Sequence, residues 1–67
     1  MSEEEVRTLI HDLRTPLTVV EGFAKLLERG GGQLSDEEQA EYVERILEGT
    51  AQLRSILDAA VPRRTQP

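Results

Sequence analysis

The stretch VRTLIHDLRTPLTVVEGFAKLL, residues 6–27, decides the fold. Its apolar residues recur at alternating intervals of three and four, which is the period of a helix that buries one face. With Val6 at position a of a heptad, the stripe fills a and d and widens into e and g. Positions a and d hold Val6, Leu9, Leu13, Pro16, Val20, Phe23 and Leu27, and positions e and g add Ile10, Leu17, Val19, Ala24 and Leu26. So wide a stripe predicts a helix that contacts two or more neighbours in a bundle.

Capping signals mark both ends of this helix. Ser2 followed by Glu5 has the spacing of a capping box, in which each side chain bonds to the backbone N–H of the other residue. At the other end, the run of glycines at 30–32 supplies the left-handed conformation that closes many helices. The sequence therefore predicts a first helix at about residues 3–29.

A second helix of the same kind follows a short turn at 30–35. Ser35 and Glu38 repeat the capping box, and a new apolar stripe predicts a helix at about residues 36–60. Gly49 lies within this stripe, where glycine costs about 1 kcal/mol relative to alanine. It either permits a close contact between helices or is only a weak point.

Pro62 ends the helical pattern, so the sequence predicts one domain at residues 1–61 and a tail or linker at 62–67. Because the turn is short, the two helices should run antiparallel. A chain of 67 residues without cysteine has little core and no disulfide, which leaves oligomerisation as a source of stability. We therefore predict an all-α fold, an antiparallel helical hairpin that forms a homodimeric four-helix bundle.

Composition excludes several classes of function. The net charge of −5 argues against a nucleic-acid partner, because binding to phosphates needs a basic surface. No apolar run approaches the length of a membrane span, so we expect no membrane contact by this segment. One histidine and no cysteine make a closed metal site improbable. The absence of cysteine fits a reducing compartment, and we expect the segment to be cytoplasmic.

The chemistry of the chain centres on His11, its only histidine, which falls at heptad position f and points away from the apolar stripe. Such a residue is most often an ordinary surface histidine. Asp12 could accept the N–H of one ring nitrogen and leave the other nitrogen as a nucleophile, or it could be a solvated charge. Thr15 lies one turn on and on the same face, where its hydroxyl could orient a water or touch a phosphoryl oxygen, or serve no role.

Pro16 stands in the middle of the predicted first helix. It cannot donate a hydrogen bond to the carbonyl of Asp12, and mid-helix proline costs about 3 kcal/mol. We interpret it as a hinge. The alternative is that one helix ends there and another begins, but the apolar stripe continues past Pro16 without a change of phase.

The string HDLRTPL at residues 11–17 closely resembles the H-box of sensor histidine kinases, in their dimerisation and histidine-phosphotransfer domain. The resemblance extends over about residues 3–60, including the turn and the second helix. It implies a module of a two-component system that accepts a phosphoryl group from ATP and passes it to an aspartate of a response regulator.

The resemblance also implies a role for each residue of the string. His11 would be the phosphoacceptor, and Asp12 would activate it as a general base. Thr15 would match the polar residue that positions water when such domains dephosphorylate a response regulator. Pro16 would match the hinge of the family, and Arg14 would help to balance charge at the partner surface.

The resemblance further implies two protein partners besides a second copy of the chain. A receiver domain would dock on the face of His11 and Thr15, continued by the small residues Thr18 and Gly22. ATP and Mg²⁺ would be bound by a separate ATP-binding kinase domain, whose motifs are missing here, since the glycines at 30–32 form a turn and no phosphate-binding loop. The chain itself would hold no cofactor and would be inactive as an enzyme alone, and its parent protein could be anchored in a membrane.

Two other interpretations remain open at this point. One is a non-catalytic dimeric scaffold from a degenerate kinase, which signals only by binding. The other is a monomeric phosphotransfer domain, although such domains bury four helices in one chain and this sequence predicts two.

Overall fold

The computed structural model describes residues 1–60, which form two helices joined by a turn. Helix α1 spans Glu3–Gly30 and helix α2 spans Asp36–Ala60, with a short 3₁₀ turn at Gly31–Gln33. The predicted all-α helical hairpin is confirmed. Residue 61 and the predicted tail at 62–67 lie outside the described residues.

Both predicted capping boxes are present. The hydroxyl of Ser2 accepts a hydrogen bond from the N–H of Glu5 at 3.1 Å, and the Glu5 carboxylate accepts one from the N–H of Ser2 at 2.7 Å. Ser35 and Glu38 make the same reciprocal pair, with both distances 3.0 Å. Each helix therefore begins with two of its otherwise unpaired N–H groups satisfied.

The first capping box predicts a pH-dependent stability. Hydrogen bonds from the backbone and then the side chain of Ser2 hold the pKa of Glu5 below its ordinary value of 4.5. A folded-state pKa that is lowered stabilises the fold above pH 4.5 and stops doing so as the pH falls through the lower value. Thermal unfolding of Glu5→Gln should therefore occur below the wild-type temperature at neutral pH, and the difference should vanish in acid.

Glu4→Gln is the control for this prediction, since it removes a charge from the same helical turn and leaves the box intact. A difference between Glu5→Gln and wild type that stays constant from neutral to acid pH would contradict the proposed linkage.

The glycine turn differs in detail from the prediction. Gly31 caps α1 with its N–H donating to the carbonyl of Leu27, and its φ of 53° is positive as expected. Its ψ of −126°, however, lies outside the left-handed helical region that we predicted for this cap. Residues that carry a side chain rarely adopt this backbone conformation, so the turn requires glycine at this position.

One narrow seam joins the two helices. Its residues recur at intervals of three and four on each helix, as in coiled coils. They are Leu9, Leu13, Pro16, Val20, Phe23 and Leu27 on α1, and Tyr42, Ile46, Gly49, Leu53, Ile56 and Ala60 on α2. The rings of Phe23 and Tyr42 contact each other with centroids 5.5 Å apart and tilted by 44°. Even so, the ring of Pro16 is the only apolar side chain in residues 1–60 that is buried.

A second set of apolar side chains remains exposed along one side of the hairpin. By helical phase, the e positions of α1 and the matching positions of α2 lie next to each other on this side. We call it the open apolar face; it consists of Ile10, Leu17, Ala24, Val43, Leu47 and Leu57. Leu47 is 62% exposed and Ile10 is 50% exposed. The hairpin thus has a stripe that is as wide as the sequence predicted but is covered on only part of its width.

Candidate functional site

His11 lies on the side of α1 that faces away from α2. Its side chain is 84% exposed, while Leu9 and Leu13 on either side of it in the sequence are half-buried in the seam. The helical period explains this, because position f is diametrically opposite the a and d positions that contact α2. The imidazole is therefore fully accessible to another protein.

Among residues 1–60, Asp12 provides the one carboxylate within 4 Å of the imidazole. Its Oδ1 lies 3.6 Å from Nδ1 of His11, within the range of an ion pair but longer than a hydrogen bond. The carboxylate is 53% exposed. Asp12 is therefore placed beside the Nδ1 edge of the imidazole ring.

Pro16 lies inside a continuous α1, so the alternative that the helix ends there is wrong. The ring packs in the seam and is the only buried residue of α1. Because Pro16 has no N–H, the carbonyl of Asp12 lacks its usual partner one turn along the helix. The interruption of the hydrogen-bond ladder therefore falls between the His11 turn and the rest of α1.

The other predicted site residues are all exposed and lie on the side of α1 that holds His11, up to three turns further along. The hydroxyl of Thr18 donates to the carbonyl of Arg14 at 2.9 Å, so this side chain already has a partner within the helix. Gly22 faces open space, with nothing within 4 Å of the position that a Cβ would occupy. Thr15 and Arg14 make no side-chain hydrogen bond or ion pair within residues 1–60.

An open groove of about 690 Å³ lies at the free end of the hairpin. Its walls come from the first turns of α1 and the last turns of α2, and Asp12 forms part of its rim. The groove lies beside the free end of the seam, at the same end of the hairpin as His11.

Two further properties concern residues 1–60 as a whole. Neither α1 nor α2 has a stretch apolar and long enough for a membrane span. These residues also contain no group of three or more His, Cys, Asp or Glu side chains placed to hold a metal ion.

Comparison with known families identifies the type of domain. The family model of the His Kinase A (phospho-acceptor) domain matches residues 1–60. The chain belongs to this family. No curated protein and no solved structure matches it. As a His Kinase A domain it is a phosphoacceptor and dimerisation module of a histidine kinase in two-component signalling, which confirms the resemblance seen in HDLRTPL.

The site of this His Kinase A domain has one neighbour whose position the sequence left open. Gly49 of α2 is buried directly against the Pro16 turn, so the first of its two interpretations, a close contact between helices, is correct. The signal in the sequence was a glycine inside a helix, where it is unfavourable. The residues that Gly49 contacts depend on the register of the two helices, which is set by the turn between α1 and α2.

Proposed function

We propose that His11 is the phosphoacceptor of this domain and that it passes its phosphoryl group to an aspartate of a response-regulator receiver domain. The observation that carries the proposal is the exposed imidazole with its neighbouring carboxylate at 3.6 Å, on the outer face of a His Kinase A hairpin. The imidazole is the only one in the chain.

The geometry favours Nε2 as the reacting atom. With the proton on Nδ1 beside Asp12, the lone pair of Nε2 attacks the γ-phosphorus of ATP, and the bond from that phosphorus to the bridging oxygen of ADP breaks. Asp12 stabilises the positive charge that develops on the ring and can accept the Nδ1 proton as a general base. In the second step, a carboxylate oxygen of the receiver attacks the phosphorus, and the N–P bond breaks with its electrons returning to Nε2. The proton that Asp12 accepted returns to Nδ1, so the ring leaves as neutral imidazole.

Two partners would supply what the hairpin lacks. ATP and Mg²⁺ would be held by an ATP-binding kinase domain, since residues 1–60 offer no metal cluster. A receiver domain would dock along Thr15, Thr18 and Gly22, whose small side chains allow close approach, with Arg14 beside them as a positive charge. We place this reaction in the cytoplasm, a proposal supported by the absence of cysteine.

A second copy of the chain would cover the open apolar face. His Kinase A domains dimerise in histidine kinases, and two hairpins related by a two-fold axis would bury Ile10, Leu17 and Leu47 in a four-helix core. Because position f is on the far side of α1 from α2 and away from the open apolar face, His11 would stay accessible in that dimer.

Thr15 has a separate proposed role, in hydrolysis of the receiver's aspartyl phosphate. It is exposed one turn from His11, where a hydroxyl can orient a water beside the docked receiver. Thr15→Ala should therefore slow dephosphorylation of the receiver more than it slows transfer from His11. Thr8→Ala is the matched control one turn before His11. Equal slowing of both reactions in Thr15→Ala would contradict a special role for this hydroxyl.

The direct test is phosphorylation in trans. The chain is incubated with an ATP-binding domain of a histidine kinase and labelled Mg·ATP, or with a phosphorylated receiver domain. A phosphohistidine gives a label that is lost in acid and survives in base, and this is the expected result. A chain that dimerises but takes no label from either donor would instead favour the non-catalytic scaffold. A label that survives acid would place the phosphoryl group on another type of residue.

A further inference from the structure

The backbones of the two helices come close to each other at the level of Pro16. Within residues 1–60, Pro16 and Gly49 are the only two residues that are buried, one on each helix. A Cβ at position 49 would lie 3.3 Å from the carbonyl oxygen of Pro16 and 2.5 Å from Cγ2 of Val20. The backbone of α2 at Gly49 thus packs directly against the helical turn of α1 that contains Pro16.

Only glycine fits this contact. Val20 is β-branched and has one strongly preferred rotamer in a helix, so its Cγ2 cannot easily move aside, and the carbonyl of Pro16 belongs to the backbone. Gly22 offers the comparison, because it is also inside a helix and meets nothing within 4 Å. Gly49 therefore has a packing role that Gly22 lacks.

The packing differs on the two sides of this contact. Towards the turn, the seam contains the contacting rings of Phe23 and Tyr42. Towards the free end, α1 and α2 border the open groove of about 690 Å³. The hydrogen-bond ladder of α1 is interrupted between these two regions, because Pro16 cannot donate to Asp12. Residues 3–15, which include His11 and which we call the arm, thus lie on the free-end side of this contact and still pack against α2 through Leu9 and Leu13.

We propose that Gly49 is a positioning residue for His11. By letting α2 sit against the Pro16 turn, it fixes the point about which the arm at residues 3–15 moves, and so sets where the imidazole stands relative to the rest of the hairpin. The role assigned to His11 rests on the proposed function, but the mechanical part of the inference does not. A side chain at position 49 would have to push the helices apart by about 1 Å, from 2.5 Å to ordinary contact at 3.4 Å.

The experiment measures distances between spin labels, which the absence of native cysteine allows at chosen sites. One pair, Thr8→Cys with Ala59→Cys, spans the groove, and a second pair, Lys25→Cys with Glu41→Cys, spans the hairpin near the turn. Labelled chains are diluted with unlabelled chains, so that only pairs within one chain contribute. Gly49→Ala should shift the mean distance of the groove pair beyond the scatter of replicate wild-type samples and leave the turn pair unchanged.

Val20→Ala supplies the rescue, since it removes the methyl group that a Cβ at position 49 would meet. Adding it to Gly49→Ala should return the groove pair to its wild-type distance and restore the wild-type rate of phosphoryl transfer to His11. If Gly49→Ala acted only by a general loss of stability, adding a cavity-forming substitution would not restore the transfer rate. If Gly49→Ala does not fold, Val20→Ala alone carries the test, because a widened gap at the same contact should shift only the groove pair.

Each outcome decides the inference. Unchanged distances in Gly49→Ala, equal shifts of both label pairs, or no recovery on adding Val20→Ala would overturn it. A shift of the groove pair with an unchanged transfer rate would overturn the positioning role. If the wild-type chain accepts no phosphoryl group at all, the proposed function fails, and the distances then still test the mechanical part separately. For thermal stability, Gly22→Ala is the control; it should raise the melting temperature, and Gly49→Ala should lower it.

Discussion

Replacing His11 with glutamine is expected to abolish phosphoryl acceptance by the chain and to leave its fold unchanged. Glutamine keeps a polar side chain but has no nitrogen with a free lone pair, so no N–P bond can form. The imidazole is 84% exposed and has only the weak contact with Asp12 at 3.6 Å. Loss of a side chain in such surroundings changes stability by about 0.5 kcal/mol or less. Label incorporation from Mg·ATP with an ATP-binding domain, and from a phosphorylated receiver, checks the loss of phosphoryl acceptance. Thermal unfolding of the same variant checks that the fold is unchanged.

Lys25→Gln is the matched control for His11→Gln. Lys25 lies two heptads further on the same face of α1 and is also exposed, so this substitution should leave the label intact. Asp12→Asn should slow the transfer from ATP, roughly 10²-fold or more if Asp12 acts as a general base. Label that persists in His11→Gln would show that another residue accepts the phosphoryl group.

Leu47→Glu should separate the dimer into single hairpins. In one hairpin this leucine is 62% exposed, so the substitution disturbs little within the chain itself. In a two-fold dimer both copies of Leu47 would be covered, and each buried leucine contributes about 1.5–3 kcal/mol. The dissociation constant should therefore rise by roughly two orders of magnitude or more. Because Pro16 and Gly49 are the only buried residues among residues 1–60, the separated hairpins should also lose much of their helical structure.

Sedimentation equilibrium and circular dichroism over a range of concentrations measure these effects. Leu26→Glu is the control, because Leu26 is 42% exposed but lies by helical phase on the other side of the hairpin. It should leave the dimer intact. A dimer equally sensitive to both substitutions, or insensitive to Leu47→Glu, would show that the open apolar face is not the interface.

Local signals in the sequence were sufficient for the architecture of the hairpin. The capping boxes at Ser2 and Ser35 depend on residues three positions apart, so their hydrogen bonds could be predicted without knowledge of the fold. The exposure of His11 followed from its heptad position alone. Pro16 could be placed inside α1 because the apolar stripe keeps its phase on both sides of it.

Features that depend on the approach of two helices were harder to predict. The seam proved narrower than the apolar stripe, because a single neighbour covers only positions a and d, and Ile10 and Leu17 stay exposed. The contact of Gly49 with Pro16 and Val20 is set by the register of the hairpin, which the sequence does not display. The ψ of Gly31 likewise reflects the path of the turn into α2.

Nuclear magnetic resonance of the His11 ring nitrogens tests the central claim most directly. The chain is labelled with ¹⁵N, phosphorylated in trans, and observed at a concentration at which sedimentation shows a dimer. We predict that phosphorus couples to Nε2 of His11 and not to Nδ1, the nitrogen beside Asp12. Phosphorus bound to any other residue, or a ring whose nitrogen signals do not change while the donor is consumed, would contradict the account.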